Sequence, residues 1–307
     1  MLIVYFGFPG LLYGLLLWFE RFRAGWSEKI ATIENRPVYY LDSDKDPAPD
    51  CGILLFVHGF AGDRDNWGRL VAHLPRKYRR VALDLPGFGA SPLDNPDQTV
   101  LSEQVERLRA FMDELGLDRV HLFGSSMGGH LAVHFAVKYP QRVRSLLLFD
   151  PSGIEQGRHS DHFKLIAQGV NCLAPSDLKG YDRMFDMLFT KRPFVPGPLK
   201  RYLGEQAIAH SAFFLKAWQI VFHDRYEPLE PVLPALAASE IPVQIYWGRQ
   251  DRIIGVESLP VLKAALPDAG THIYAQCGHL PFLEQPKRTA KLVISFLSEV
   301  ERSLTSQ

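Results

Sequence analysis

Val120-His121-Leu122-Phe123-Gly124-Ser125-Ser126-Met127-Gly128-Gly129 carries an apolar, strand-like run into a glycine-bounded serine and then into a helix-like segment. The pattern Gly124-x-Ser126-x-Gly128 predicts a sharp strand-to-helix turn, a nucleophile elbow, that exposes and aims the Ser126 hydroxyl. A serine hydroxyl becomes a useful nucleophile only when it is exposed, aimed and beside a base. Glycines flank it because the helix must pass close to neighbouring strands, and a side chain there would block that approach.

Outward from the elbow, short apolar runs at 53–57, 81–85, 145–149 and 243–247 read as strands buried on both faces, followed by a further strand at 272–275. Residues 36–41 read as an opening edge strand, followed by a polar, proline-bearing turn at 42–50. Leu101, Val105, Leu108, Met112 and Leu115 recur at helical spacing, with Gly116 placed to end that helix, and a closing helix is expected over 287–297. Strands alternating with helices imply an α/β fold, a mostly parallel sheet flanked by helices, whose ligands bind beyond the strands' carboxyl ends.

That rhythm stops between Phe149 and Val243. Residues 154–238 read as an inserted helical cap, rich in aromatics such as Phe163, Phe185, Phe189, Phe194, Phe213, Phe214, Trp218 and Phe222. Aromatics at helical spacing are usually core, yet a cap must leave a cleft above Ser126, and apolar walls there favour an acyl chain. The domain division is therefore 1–28 as an N-terminal membrane-associated helix, 29–153 with 239–307 as the core, and 154–238 as the cap.

Ser126 needs an imidazole base and a carboxylate that orients it. Asp251, in Trp247-Gly248-Arg249-Gln250-Asp251, follows one buried strand, and His279, in Cys277-Gly278-His279, follows the next. The chain order Ser126, Asp251, His279 is that of a hydrolase triad on an α/β sheet. Asp150, after the strand ending in Phe149, is the rival acid, although beside Pro151 it reads more simply as a turn residue. The oxyanion donors expected are the backbone N–H of Met127, at the helix start, and that of Phe60, in His58-Gly59-Phe60. The Phe60 side chain suits core packing and acyl contact equally. His58 reads as an anchor for that loop.

Other residues invite a functional reading and lose it. His130 and His134 lie four apart on the helix after Ser126, but no glutamate follows His130 as a zinc protease helix requires. Gly87-Phe88-Gly89 lacks the following helix and acidic residue of a dinucleotide site, so a tight turn is expected. No cofactor and no metal are implied. Cys51, Cys172 and Cys277 are too far apart and too few for a disulfide framework, and Cys277 reads as a small buried neighbour of the site. The 34 basic and 34 acidic residues cancel, which leaves no field to recruit nucleic acid.

Residues 2–19 are almost wholly apolar and end in Glu20-Arg21-Phe22-Arg23. Eighteen helical residues at ~1.5 Å each reach about 27 Å, barely the hydrocarbon thickness. The arginines follow the apolar stretch instead of preceding it, which favours a retained anchor over a cleaved signal. Arg21, Arg23 and Lys29 on its carboxyl side put the catalytic domain on the cytoplasmic side. Pro9-Gly10 interrupts the stretch, so a bent helix lying in the membrane interface competes with a full span. Gly7, Gly10 and Gly14 share a face on which a homodimer could pack.

Taken together, His58-Gly59-Phe60, Asp84-Leu85-Pro86-Gly87-Phe88-Gly89, Gly124-Ser125-Ser126-Met127-Gly128-Gly129, Trp247-Gly248-Arg249-Gln250-Asp251 and Gly278-His279 closely resemble the α/β-hydrolase superfamily. The apolar start, the elbow and Glu284-Gln285-Pro286-Lys287 are similar to bacterial family V lipases and membrane-anchored monoacylglycerol lipases. The resemblance implies an α/β-hydrolase fold and serine ester hydrolysis of lipid-like esters such as monoacylglycerols, through an acyl-enzyme and without a cofactor. A carbon–carbon bond hydrolase of ring-fission diketones would use the same triad. A catalytically idle binding protein is the remaining reading.

Overall fold

The structure, a computed structural model, describes residues 8–47 and 52–305. Among these, eight strands form one sheet: β1 (Ser27–Ile33), β2 (Arg36–Asp42), β3 (Ile53–Val57), β4 (Arg79–Leu83), β5 (Val120–Ser125), β6 (Val143–Phe149), β7 (Val243–Gly248) and β8 (Gly270–Tyr274). Their spatial order is β1-β2-β4-β3-β5-β6-β7-β8. β2 pairs antiparallel with both β1 and β4, and every pairing from β4 across to β8 is parallel. All six residues of β5 and of β7 are buried, as continuous apolar strands covered on both faces must be.

The helices are α1 (Pro9–Ala24), α2 (Gly68–Val71), α3 (Leu101–Glu114), α4 (Met127–Lys138), α5 (Asp161–Ile166), α6 (Leu178–Leu188), α7 (Gly197–Ala209), α8 (Ser211–Gln219), α9 (Leu233–Ala238), α10 (Leu259–Ala265), α11 (Pro281–Glu284) and α12 (Pro286–Thr305). Alternate strand residues feed two apolar layers. On one face Leu55, Val57, Val81, Leu122, Leu146 and Ile245 pack with Leu108 and Met112 of α3 and with Leu131 and Phe135 of α4. On the other, Leu54, Phe56, Phe123, Leu147, Phe149 and Tyr246 pack with Trp67, Phe282 and, from α12, Val293 and Leu297. Helices α5 to α9 lie between β6 and β7, where the strand-and-helix rhythm of the sequence breaks.

Residues 36–41 are not the edge strand. β1 precedes them and takes the edge, joined to β2 by Glu34 and Asn35, whose φ of 51° and 60° suit a two-residue hairpin turn. β1 begins with the exposed residues Ser27 and Glu28, so it has little of the apolar run that marks the inner strands. The run at 81–85 shifts two residues earlier because Leu85 N–H leaves the sheet to donate to His58 Nε2 at 3.0 Å. α3 ends as expected, with Gly116 at φ 63°, and α12 runs eight residues past the expected stop at 297.

The amino-terminal helix differs from expectation. Pro9 starts α1 instead of bending it, since the first helical position needs no N–H bond. No helix among the described residues is long and apolar enough to cross a membrane, and residues 1–7, including Gly7 of the expected glycine face, lie outside that description. Gly10 does not face a second copy: a Cβ there would meet the Tyr202 ring of α7 at 3.3 Å. Arg21 forms a two-pronged pair with Asp65, at 2.7 Å in both arms, and also reaches Glu28. Leu11, Leu15, Trp18 and Phe22 form an exposed apolar stripe, with Trp18 63% and Phe22 66% exposed.

At the elbow, Ser126 adopts φ 53° and ψ −118°, a strained conformation for a residue with a side chain. It persists because α4 is wedged against β3. A Cβ on Gly124 would collide with the Gly128 carbonyl, and one on Gly128 with the carbonyls of Val57 and His58. Gly128→Ala is expected to destabilise the protein by at least about 2 kcal/mol, as overpacking against backbone does. Urea denaturation followed by circular dichroism checks this, with Gly14→Ala as the control, since nothing lies within 4 Å of a Cβ there.

Candidate active site

Ser126, Asp251 and His279 leave the carboxyl ends of β5, β7 and β8, at one edge of the sheet. Each is held by backbone bonds. Ser126 N–H donates to Phe149 O at 2.9 Å, and its own carbonyl accepts from Ser152 N at 3.1 Å. The β7 and β8 loops touch so closely that a Cβ at Gly248 would collide with the Gly278 carbonyl, and Gln250 N–H donates to Cys277 O at 3.0 Å. Two loops that share bonds in this way set the distance between the side chains they carry.

His279 Nδ1 lies 2.7 Å from Asp251 Oδ2, with both side chains buried. Asp251 Oδ1 accepts from Ile253 N at 2.8 Å and Ile254 N at 3.0 Å, so the carboxylate is satisfied by amides as well as by the imidazole. His279 N–H donates to Leu188 O at 2.8 Å, which ties the histidine loop to α6 of the insert. His279 and Ser126 line one cavity of about 200 Å³ with Phe60, Leu173, Tyr181, Phe185 and Phe189.

Gly59 packs directly on the serine: a Cβ there would stand 3.0 Å from Ser126 Cβ and 3.2 Å from Ser125 O. Among the described residues, neither the Phe60 nor the Met127 N–H donates to another group. His58 holds the loop, its Nε2 accepting from Leu85 N at 3.0 Å and its Nδ1 lying 2.7 Å from Gly59 O. Burial lowers the pKa of His58, which keeps it neutral and suits that structural part. The Phe60 ring packs against Phe88, Phe214, Trp218 and Phe222, and it also lines the cavity.

The other candidates resolve into structure. His130 and His134 direct their Nε2 atoms to one acceptor, Glu227 O, at 2.6 and 3.0 Å. Burial pushes the His130 pKa down to about 3. The Gly87-Phe88-Gly89 segment is a tight turn with φ of 93° at Gly87 and 55° at Gly89, closed by the Asp84 carboxylate accepting from Ala90 N at 2.8 Å. Cys277 is fully buried beside Glu284, and burial raises its pKa; Cys51 lies outside the described residues. The insert's aromatics divide, with Phe185 and Phe189 on the cavity, Trp218 and Phe222 in the core, and Phe194 91% exposed.

Two residues do more than the sequence reading gave them. Glu284 accepts from Gly278 N at 2.6 Å and from Thr190 N and Lys191 N at 3.2 and 3.1 Å, bracing the histidine loop against the insert. In the sequence Glu284 marked only the resemblance carried by Glu284-Gln285-Pro286-Lys287, with no sign of the loop it braces. Asp150 is more than a turn residue: one of its carboxyl oxygens, one of Asp251 and a ring nitrogen of His279 all lie within 4.8 Å of one another.

Residues 54–292 match the family described as "Alpha/beta hydrolase family". The chain belongs to that family. It is a hydrolase, and its relatives carry lipase names. The monoacylglycerol lipase ABHD6 of Mus musculus is 26% identical over 96% of this chain and 89% of its own length. Lipase 3 of Moraxella sp. (strain TA144) is 29% identical over 77% of this chain and 74% of its own. Among solved structures, a bacterial membrane phospholipase A described as a virulence factor superposes with a TM-score of 0.88 at 38% identity, covering 97% of this chain and 94% of that one.

In an alpha/beta hydrolase with this geometry, replacing the Asp251 carboxylate by an amide keeps a hydrogen-bonding group beside His279 but removes the charge that favours its Nδ1-protonated tautomer. Asp251→Asn is expected to slow fluorophosphonate labelling of Ser126 by about 10⁴-fold, as losing the acid of a triad does, while Ser126→Ala abolishes labelling. Stopped-time labelling resolved by gel fluorescence measures both, with melting temperature as the check on folding.

Proposed function

We propose that the protein hydrolyses carboxylic esters of lipids, monoacylglycerols among them, through an acyl-enzyme on Ser126. The observation that carries this is the buried His279–Asp251 pair opening with Ser126 onto a cavity walled by apolar residues of the insert. With Nδ1 protonated and donating to Asp251, His279 has Nε2 free to take the Ser126 proton as the hydroxyl attacks the ester carbonyl. The Phe60 and Met127 amides stabilise the resulting oxyanion, each contributing about 3 kcal/mol. His279 then returns the proton to the leaving alcohol, and water activated through His279 releases the acid.

The insert, 154–238, acts as a cap. A groove of about 480 Å³ runs between α1 and this cap, lined by Tyr13, Leu16, Leu17, Val195 and Leu199. It shares Asn66, Phe185, Phe189 and Leu283 with the catalytic cavity, so an apolar wall leads from the α1 side to Ser126. The exposed stripe of α1 rests on the bilayer, which brings lipid to that groove; the lipase and membrane phospholipase relatives support this reading. Arg21 and Arg23 follow the stripe, which favours the cytoplasmic side for the catalytic domain.

Purified protein is expected to hydrolyse monoacylglycerols and nitrophenyl acyl esters and to leave ring-fission diketones untouched. Release of fatty acid and decay of the dienone chromophore measure the two activities. Inactivity on both esters with an unlabelled Ser126 removes the ester reading, and dienone decay alone installs the carbon–carbon hydrolase. Trp18→Glu is expected to reduce co-flotation with phosphatidylglycerol-containing vesicles while turnover of a soluble nitrophenyl ester stays unchanged. Equal flotation of the variant would remove α1 from membrane docking.

A further inference from the structure

Asp150 follows β6 directly, with φ 44°, in the left-handed region that residues with side chains rarely occupy. Its N–H donates to Tyr246 O at 2.9 Å, and its Oδ1 accepts from Gly248 N at 2.8 Å, so the carboxyl group is fastened to the strand and loop that carry Asp251. The second oxygen, Oδ2, is buried and has no hydrogen-bond partner from a conventional donor. A fully buried side chain in a conformation this unfavourable, with one oxygen unaccounted for, calls for a partner.

The groups around Asp150 decide which partner. Asp251 faces it from the β7 loop, Glu284 from α11, Tyr274 from the end of β8, and Cys277 and His279 from the β8 loop. No lysine or arginine is among them. Two bare carboxylates this close, out of water and with no cation between them, cannot both keep their charge. Burial first, then repulsion from Asp251 and hydrogen bonding to it, hold the Asp150 carboxyl well above the ordinary carboxylate range. Asp251 is the acceptor of the pair, because its Oδ1 accepts two backbone amides and its Oδ2 faces the imidazole.

We propose that Asp150 is a positioning residue that carries a proton and donates its Oδ2–H to the Asp251 carboxylate, locking that carboxylate against His279 Nδ1. This rests on the assignment of Asp251 and His279 above. The proton remains on Asp150 throughout turnover, and no covalent bond to a heavy atom forms or breaks there. Asp251 is thereby held on several sides: by Ile253 N and Ile254 N, by His279, and by Asp150. Loss of the Asp150 proton would set two like charges against each other and swing Asp251 away from the imidazole.

The test uses Ser126 phosphonylation by a fluorophosphonate, which needs no knowledge of the natural ester, measured across pH in the full chain. Asp150→Ala is expected to slow labelling by about tenfold or more, the scale of a misplaced catalytic group. Asp150→Asn, whose amide can donate to Asp251 and accept from Gly248, should restore the rate to within about threefold of wild type, by the same geometric argument. It should also remove the fall in rate that wild type shows at high pH as Asp150 ionises. The wild-type minus Asp150→Asn infrared difference spectrum at pH 7 should contain the C=O stretch of a protonated carboxylic acid. A pKa raised in the folded state supplies stability that is complete below the ordinary carboxylate range and lost as pH rises through the folded value. The melting-temperature advantage of Asp150→Asn over wild type should therefore widen from about pH 4 upward.

Labelling of Asp150→Asn as slow as that of Asp150→Ala, an Asp150→Ala rate equal to wild type, or carboxylate bands alone in the infrared difference would each overturn the proposal. Should Asp150→Ala not fold, the Asn variant's pH profile and spectrum decide alone. A wild-type Ser126 that does not label at all would instead defeat the hydrolase mechanism, and the infrared spectrum would still report the proton on Asp150.

Discussion

The approach of α4 to the β3 loop is the constraint on which the rest of the structure depends. Backbone meets backbone there, with the carbonyls of Val57 and His58 occupying the space where a Gly128 side chain would stand. That contact holds Ser126 in its strained turn, with Gly59 packed directly on the serine. A strained residue persists only when its surroundings over-determine it, and here the parallel strands on both sides of β5 supply that determination.

Around this fixed point the buried charges are handled in two ways. Below the sheet's edge, Asp84 is neutralised: Arg64 donates to it from both backbone and guanidinium, and the same guanidinium reaches Glu28. Arg21 joins Glu28 to Asp65, so α1 is fastened to the core by a chain of ion pairs. At the ends of β6, β7 and β8, two carboxyl groups share the space with one imidazole. The first arrangement suits a rigid scaffold. The second leaves protonation state as the variable, as acid–base chemistry requires.

Much of this was legible in the chain. Gly124-x-Ser126-x-Gly128, the continuous apolar runs of β3, β5 and β7, and the order Ser126, Asp251, His279 each carry their meaning locally, through the absence of a Cβ, burial on both faces or position after a strand. β1 was missed because an edge strand with polar residues at its start lacks the apolar run, although Glu34-Asn35 marks the hairpin. Pro9 was misread because proline punctuates a helix from inside but starts it at the first position, and sequence alone does not say which. Asp150 was visible as a rival acid and Glu284 within a family motif, but their partners were not, since each acts on a loop distant in the chain.

The sequence by itself determined the inner strands, the elbow and which three residues could cooperate, because these follow from side-chain volume, apolar periodicity and chain order. Only the tertiary structure decided how α1 is used, which aromatics face the cavity, and that Asp150 stands against Asp251. Those outcomes depend on desolvation and on distances between separate loops. Such quantities exist only once the β6, β7 and β8 ends have been packed together.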